Sequence, residues 1–351
     1  MAYTDIDKPS DYFETVLYTG TGSTQSITSL DFQPDWVWGK TRNDTQDHQI
    51  IDSVRGATKL LATNGTAAEF TDTNNLTSFN SNGFTVGSSG GINGSSDTLV
   101  TWCWKAGTSV SGNTGGSGTA KSYSGSVNTD AGFSITSFTG NGTIGHTIPH
   151  SLNAIPSMFI IKKYGGSGDS TARDWDVYHQ SLGNTKVIFL NTTAANSTSS
   201  EYWNDTTPTS SVITLGANDQ INGNNNTYIC YAFSEKQGYS KFGSYVGNGN
   251  ADGTFVYTGQ KSAFIMVKST GGESNWQMSD NKRNTFNEVN KHLRANSSGA
   301  EFTNYPIDFL SNGFKLRATD TDTNGSGTTY IFMAFAENPF TTSTGVPATA
   351  R

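Results

Sequence analysis

The chain has 351 residues, of which 33% are hydrophobic, 12% aromatic and only 15% charged, with 39 glycines and a formal net charge of −7. Such a mixture argues against a helical enzyme and suits many short strands joined by turns, with cores built on a few large rings. With no cluster of Lys and Arg to release counterions, nucleic acid is not expected as a partner. No apolar run approaches the ~20 residues of a membrane span, so membrane insertion is not expected either.

Residues 1–13 are polar, with Pro9 fixing an extended or turn geometry, and read as an N-terminal arm. They carry neither a basic nor an apolar leader region, so export by the general secretory route is not expected. Residues 14–107 form a first unit. Its landmarks are a strand ending in Tyr18-Thr19-Gly20-Thr21-Gly22, an apolar run closed by lysine from Trp36 to Lys40, then Asn64, Asn93-Gly94 and a last strand from Leu99 to Trp104. Residues 108–130 are rich in Gly, Ser, Thr and Asn and have the composition of a flexible linker.

The same landmarks return in residues 131–238 as Phe138-Thr139-Gly140-Asn141-Gly142, Met158 to Lys162, Trp175, Asn191, Asn222-Gly223 and Thr227 to Phe233. They return again in residues 239–340 as Tyr245-Val246-Gly247-Asn248-Gly249, Phe264 to Lys268, Trp276, Asn296, Asn324-Gly325 and Tyr330 to Phe335. Successive copies begin more than a hundred residues apart, far beyond the ~20–50 residue period of solenoids and propellers, so each copy has the size of a small domain. The expected architecture is all-β: three tandem antiparallel β-sandwich domains of jelly-roll or lectin-like type, followed by a tail at 341–351. Within the second copy, Phe138, Phe159, Ile161, Tyr228 and Phe233 are expected to face inward. Asn82-Gly83 and Asn312-Gly313 read as hairpin turns, because both residues tolerate positive φ, and Asn93-Gly94, Asn222-Gly223 and Asn324-Gly325 read as equivalent turns. Cys103 and Cys230 occupy neighbouring but non-equivalent positions of late strands and read as buried free thiols.

The candidate chemistry is sparse. His146 and His150 are four apart, but Pro149 and the surrounding Gly and Thr favour an exposed turn pair over a metal site. Asp320, Asp322 and Asn324 open like a calcium loop, yet Ile331 stands where a bidentate Glu is required, leaving only a looser calcium site or a hairpin turn. Asp52 with Arg55, and Asp280 with Arg283, read as ion pairs holding loops rather than as a ligand clamp. Glu69 and Glu301 follow Asn64 and Asn296 at the same interval, but the second copy has Asn196 there, so a catalytic carboxylate pair is disfavoured. No catalytic residue, metal or cofactor is expected. Tyr202, Trp203, Asn204 and Asp205 have no counterpart in the other copies, and aromatic rings beside Asn and Asp make them the candidate carbohydrate contact.

The Tyr-Thr-Gly and Gly-Asn-Gly turns, the junction from Gly238 to Tyr245, the segment Leu310 to Leu316 and the ending Ala334 to Phe340 resemble a family of repeated-domain structural proteins of tailed bacteriophages, especially marine ones. The resemblance covers essentially the whole chain. It implies a non-enzymatic virion protein at the particle surface, a tail fibre or receptor-binding protein for host attachment, with a capsid decoration protein as the alternative and a polysaccharide-degrading tailspike after that. It also implies other virion proteins as partners, a host-surface polysaccharide as ligand and a homotrimer as the working form. In that setting the arm 1–13 is expected to dock to the particle, and the linker to uncouple the first unit from the other two.

Overall fold

In each copy, which we call a repeat, four strands make a main antiparallel sheet. The opening strands are Phe13–Thr19, Phe133–Thr139 and Ser240–Val246. The central strands are Trp36–Thr41, Met158–Gly166 and Gln260–Ser269, grown from the apolar runs. The strands that follow them are Gln49–Asp52, Trp175–His179 and Gln277–Asp280, and the closing strands are Thr98–Trp104, Asn226–Phe233 and Thr329–Pro339. The order is the same every time: opening, closing, central, following. Register makes the repeats comparable residue by residue. The row Trp104, Trp36, Asp52 of the first corresponds to Phe233, Met158, His179 of the second and Phe335, Phe264, Asp280 of the third. The chain is all-β with several antiparallel sheets, and this computed structural model describes residues 2–166 and 173–349.

The first two repeats each add a second, smaller sheet. In the first repeat it pairs Gln25–Ile27, Gly83–Val86 and Leu76–Asn80, and in the second Gly115–Gly116, His146–Pro149 and Val212–Leu215. In the third, Phe255–Tyr257, Gly313–Leu316 and Phe302–Leu310 continue the main sheet through Val289–Arg294, so that it curls toward a barrel. Each repeat encloses its own apolar cluster: Val37, Ile51, Phe84, Leu99 and Cys103 in the first; Phe138, Phe159, Ile161, Tyr228 and Cys230 in the second; Ile265, Val267, Phe309, Phe314 and Tyr330 in the third.

The opposite faces of the main sheets are not left to water. Side chains alternate across a strand, so Trp36 and Trp38 point away from Val37, and both enter a fourth, shared core drawn from all three repeats. Trp102, Trp104, Ile160, Trp175, Tyr231, Met266, Trp276 and Met333 lie in it too. Rings meet across every pair of repeats: Trp36 stacks on Tyr231 at 4.6 Å, Phe13 on Phe335 at 5.0 Å, and Phe233 reaches Phe335 edge-on at 5.9 Å. Burial of the central strands on both faces follows from this double duty. Phe233, expected in its repeat's own core, belongs instead to the shared one, while Phe138, Phe159, Ile161 and Tyr228 face inward as expected.

Residues 108–130 are not a flexible linker. Thr108–Asn113 pairs with Ser122–Asn128, which pairs with Phe133–Thr139, so the hairpin widens the second repeat's main sheet. Backbone hydrogen bonds to a preformed neighbour order a stretch whose side chains bury little. The arm is likewise docked: Ile6 enters the shared core, the Thr4 hydroxyl donates to Gln237 O at 2.7 Å and the Tyr3 hydroxyl to Gly259 O at 2.7 Å. The tail folds onto the arm, with Ser343 N donating to Asp7 at 2.6 Å and Phe340 edge-on to Tyr3.

Candidate functional site

The two glycine-bearing landmarks of each repeat form one lock. Asn93, Asn222 and Asn324 are fully buried. Their side-chain oxygens accept the backbone N–H of Thr21, Asn141 and Asn248, while their backbone carbonyls accept from Gly22, Gly142 and Gly249. Those last three glycines sit at φ +68°, +70° and +66°, where only glycine is comfortable. Gly20, Gly140 and Gly247 leave no room for a Cβ, which would come within 2.1, 2.5 and 2.4 Å of the carbonyl oxygens of Gly94, Gly223 and Gly325. These Asn-Gly pairs are therefore not hairpin turns, whereas Asn82-Gly83 and Asn312-Gly313 do join antiparallel strands, as expected. The first two end the short helices Gly90–Asn93 and Asp219–Asn222, and the asparagine is spent on satisfying a buried turn.

The remaining landmarks join the repeats into a closed ring. Trp175 Nε1 donates to Ala62 O of the first repeat at 2.9 Å, and Trp276 Nε1 to Phe189 O of the second at 2.9 Å. His48 occupies the corresponding position in the first repeat, and its Nε2 lies 2.9 Å from Arg294 O of the third. A second set runs the other way round: Glu69 N donates to Tyr164 O, Asn196 N to Thr270 O and Glu301 N to Arg42 O. Asn64, Asn191 and Asn296 accept the backbone N–H of His48, Trp175 and Trp276, holding each donor in place.

The charged landmarks serve the same joints. Arg55 donates to Asp52 at 2.6 Å and to Glu69 at 3.2 Å, and Arg283 repeats this with Asp280 at 2.6 Å and Glu301 at 3.4 Å. Tyr231 of the second repeat donates to Asp52, and Trp102 of the first to Asp280. Glu301 also takes Arg42 in a two-pronged bond at 2.9 Å on each arm. Each glutamate is thus committed to arginine. Lys40, Lys162 and Lys268 hold equivalent positions of the central strands, fully buried with ammonium groups donating to carbonyls such as Thr41 O, Thr66 O and Ser269 O. Burial lowers all three to about 8.

His146 and His150 are buried rather than exposed, and neither faces the other. His146 lies between Asn222 and Thr114, whereas His150 lies between Thr209 O and Leu152 N. The calcium-like acids are also engaged, Asp320 by Thr323 and Asp322 by Gln277 and Asn275. Among the described residues no three His, Cys, Asp or Glu side chains converge as metal ligands. Both cysteines are free and buried. Asp176 is anomalous: it is fully buried, neither carboxylate oxygen has a hydrogen-bond partner among the described residues, and Gln49 and Gln277 hold the equivalent positions. Burial, then the neighbouring Asp174, pushes its carboxyl well above the usual range against the pull of Lys162 and Arg173.

Tyr202 and Trp203 do not form an exposed sugar platform. Trp203 is 1% exposed, stands edge-on to Phe159 at 4.8 Å, and donates Nε1 to Lys186 O at 2.9 Å. Tyr202, 7% exposed, accepts from Gln220. Asn204 and Asp205, both left-handed at φ 49° and 45°, end the short helix and turn the rings inward. A polar sequence around a large ring marked a cap, not a surface.

Single exposed rings occur at Phe70 of the first repeat and Phe286 of the third, but two exposed rings on one strand lie together on the third repeat. Phe255 and Tyr257, 45% and 55% exposed, point outward from one strand on either side of buried Val256. The Tyr257 hydroxyl is 3.4 Å from that of Tyr3, and a groove of about 220 Å³ beside them is lined by Tyr3, Gln237, Ser240, Lys241 and Glu235 among others. Setting the three repeats in register would have found these rings, since the same outward positions hold Ser26 and Thr28 in the first and Thr147 and Pro149 in the second.

Fold and joints define an all-β protein of internally repeated sheets closed around a common core. A family model described as a domain of unknown function (DUF7483) matches residues 8–339, and the chain belongs to that family. No curated protein and no solved structure matches it.

Proposed function

We propose that the chain is a non-enzymatic structural protein of a bacteriophage particle, a tail-fibre or receptor-binding component that presents a rigid surface to the host. In this reading each repeat is a lectin-like or jelly-roll antiparallel sandwich, and a homotrimer with other virion proteins as neighbours is the working form. The observation that supports it is the fate of the landmarks. The polar groups that recur in every repeat are spent on turn locks and joints between repeats, as a load-carrying scaffold requires, and the acids Glu69 and Glu301 are neutralised by arginine rather than poised for proton transfer. The ring of joints favours a second reading, a capsid decoration protein, because three similar repeats around one centre present similar surfaces to a threefold site.

Immunogold labelling of intact particles with an antibody to this chain tests both. Gold on tails supports the first reading, gold on capsids the second, and particles without label overturn both. Light-scattering mass tests the trimer.

A further inference from the structure

We propose that the outward face of the third repeat's strands Phe255–Tyr257, Gly313–Leu316 and Phe302–Leu310 is a binding site for a short, neutral saccharide. The proposal gives the receptor-binding reading a site and a ligand class, but its evidence is the face itself. Phe255, Tyr257 and Tyr3 form a strip of rings that no core requires. The first two repeats build the same fold with Ser26, Thr28, Thr147 and Pro149 at the equivalent positions. Opposite Phe255 stands Lys315, where those repeats have Thr85 and Thr214, and opposite Lys315 stands Asp308. Where two repeats carry small side chains, the third carries an aromatic surface edged with strong hydrogen-bonding groups.

The charges select the ligand. Lys315 is paired with Asp252 at 2.5 Å, Arg317 with Asp308 at 3.5 Å and with Asp252 at 3.7 Å, and Lys241 with Glu235 at 2.6 Å. Lys315, Arg317 and Lys241 are therefore each already paired with a carboxylate, so none is left to hold an anionic partner. What is offered is ring faces for apolar C–H surfaces, plus paired polar groups that donate to and accept from hydroxyls. Size selects against a protein. The strand Phe255–Tyr257 spans roughly 10 Å, and the three-stranded face is about as wide, whereas a stable protein interface needs ~800 Å² from each partner. A face of that size, continued into the groove beside Tyr3, accommodates a few sugar rings.

The test is an array of immobilised neutral and acidic glycans probed with the labelled whole chain, followed by titration calorimetry with the best soluble neutral oligosaccharide. The double variant Phe255→Ser with Tyr257→Thr carries the residues the first repeat uses, so its melting temperature should match that of the unaltered chain. Its affinity should fall tenfold or more, and Lys315→Ala should weaken binding less. Absence of any neutral-glycan signal, preference for sialylated glycans, or equal binding by the double variant would each overturn the proposal. So would a light-scattering mass that drops in the double variant, which would make the face a contact between copies. The array reports on the isolated protein, so its failure leaves the particle location to be decided by labelling.

Discussion

The shared core and the three private cores are built from opposite faces of the same strands, yet they differ in material. Six of the seven tryptophans, Trp36, Trp38, Trp102, Trp104, Trp175 and Trp276, enter the shared core, and only Trp203 lies in a private one. Private cores are filled by smaller aliphatic and singly ringed side chains. Three twisted sheets facing one another leave a wide space that large rings fill together with aliphatic side chains such as Ile50 and Leu293, and the indole N–H groups of Trp175 and Trp276 reach carbonyls of the neighbouring repeat. A repeat is thus complete on one side only.

The severest way to break that comparison is to excise a repeat. Residues 131–238 alone would expose Phe133, Met158, Ile160, Trp175, Tyr231 and Phe233. The fragment should aggregate or melt without a cooperative transition, while the whole chain unfolds in one step; a well-dispersed amide spectrum from the fragment would show the private core to be sufficient. Next in size is the buried pair at a joint. Asp280→Ala takes from the buried Arg283 guanidinium the closer of its two anions and leaves only Glu301 at 3.4 Å, which should cost about 3 kcal/mol in urea unfolding. A loss below 1 kcal/mol would mean water reaches the joint.

Acid sharpens the comparison less drastically. Burial lowers His48 and His292 to about 3 and His150 and His179 to about 4. An unfolded chain takes up these protons from about pH 6.5 downward and the folded chain does not, so stability is full above that pH and declines as pH falls toward 4. Each histidine contributes up to about 1.4 kcal/mol per pH unit. Asp35, Asp176 and Asp320, whose carboxyls are raised by burial, act in the opposite direction and blunt the slope. A urea midpoint unchanged between pH 7 and pH 5 would show the histidines to be uncoupled from folding. The smallest effect expected is a gain. Asp176→Gln installs the residue of the other two repeats, removes a buried carboxyl group that has no hydrogen-bond partner among the described residues, and should stabilise the chain by about 1–2 kcal/mol at pH 7. A loss of stability on that substitution would reveal a partner for the carboxylate.

The repeat and the all-β class were legible because the turn locks demand particular residues, and such demands recur wherever the lock does. The shared core was legible in principle. Runs such as Trp36-Val37-Trp38 are apolar at successive positions, which in an antiparallel strand means that both faces are covered. The linker was misread because composition reports what side chains bury, whereas Ser122–Asn128 is held by its backbone between two strands. Trp203 was misread because its burial depends on Asn204 and Asp205 adopting left-handed turns, which a sequence permits without announcing. Phe255 and Tyr257 escaped notice because landmarks were sought where repeats agree, and a binding face is where one of them departs.

The joint between Arg42 and Glu301 spans 259 residues of chain. Contacts so distant in sequence form last during synthesis, after the third repeat has emerged and turned back on the first. Until then the first two repeats hold an open wedge of tryptophan and tyrosine rings toward solvent. The chain should therefore fold slowly, with an aggregation-prone intermediate whose lifetime ends when the ring closes.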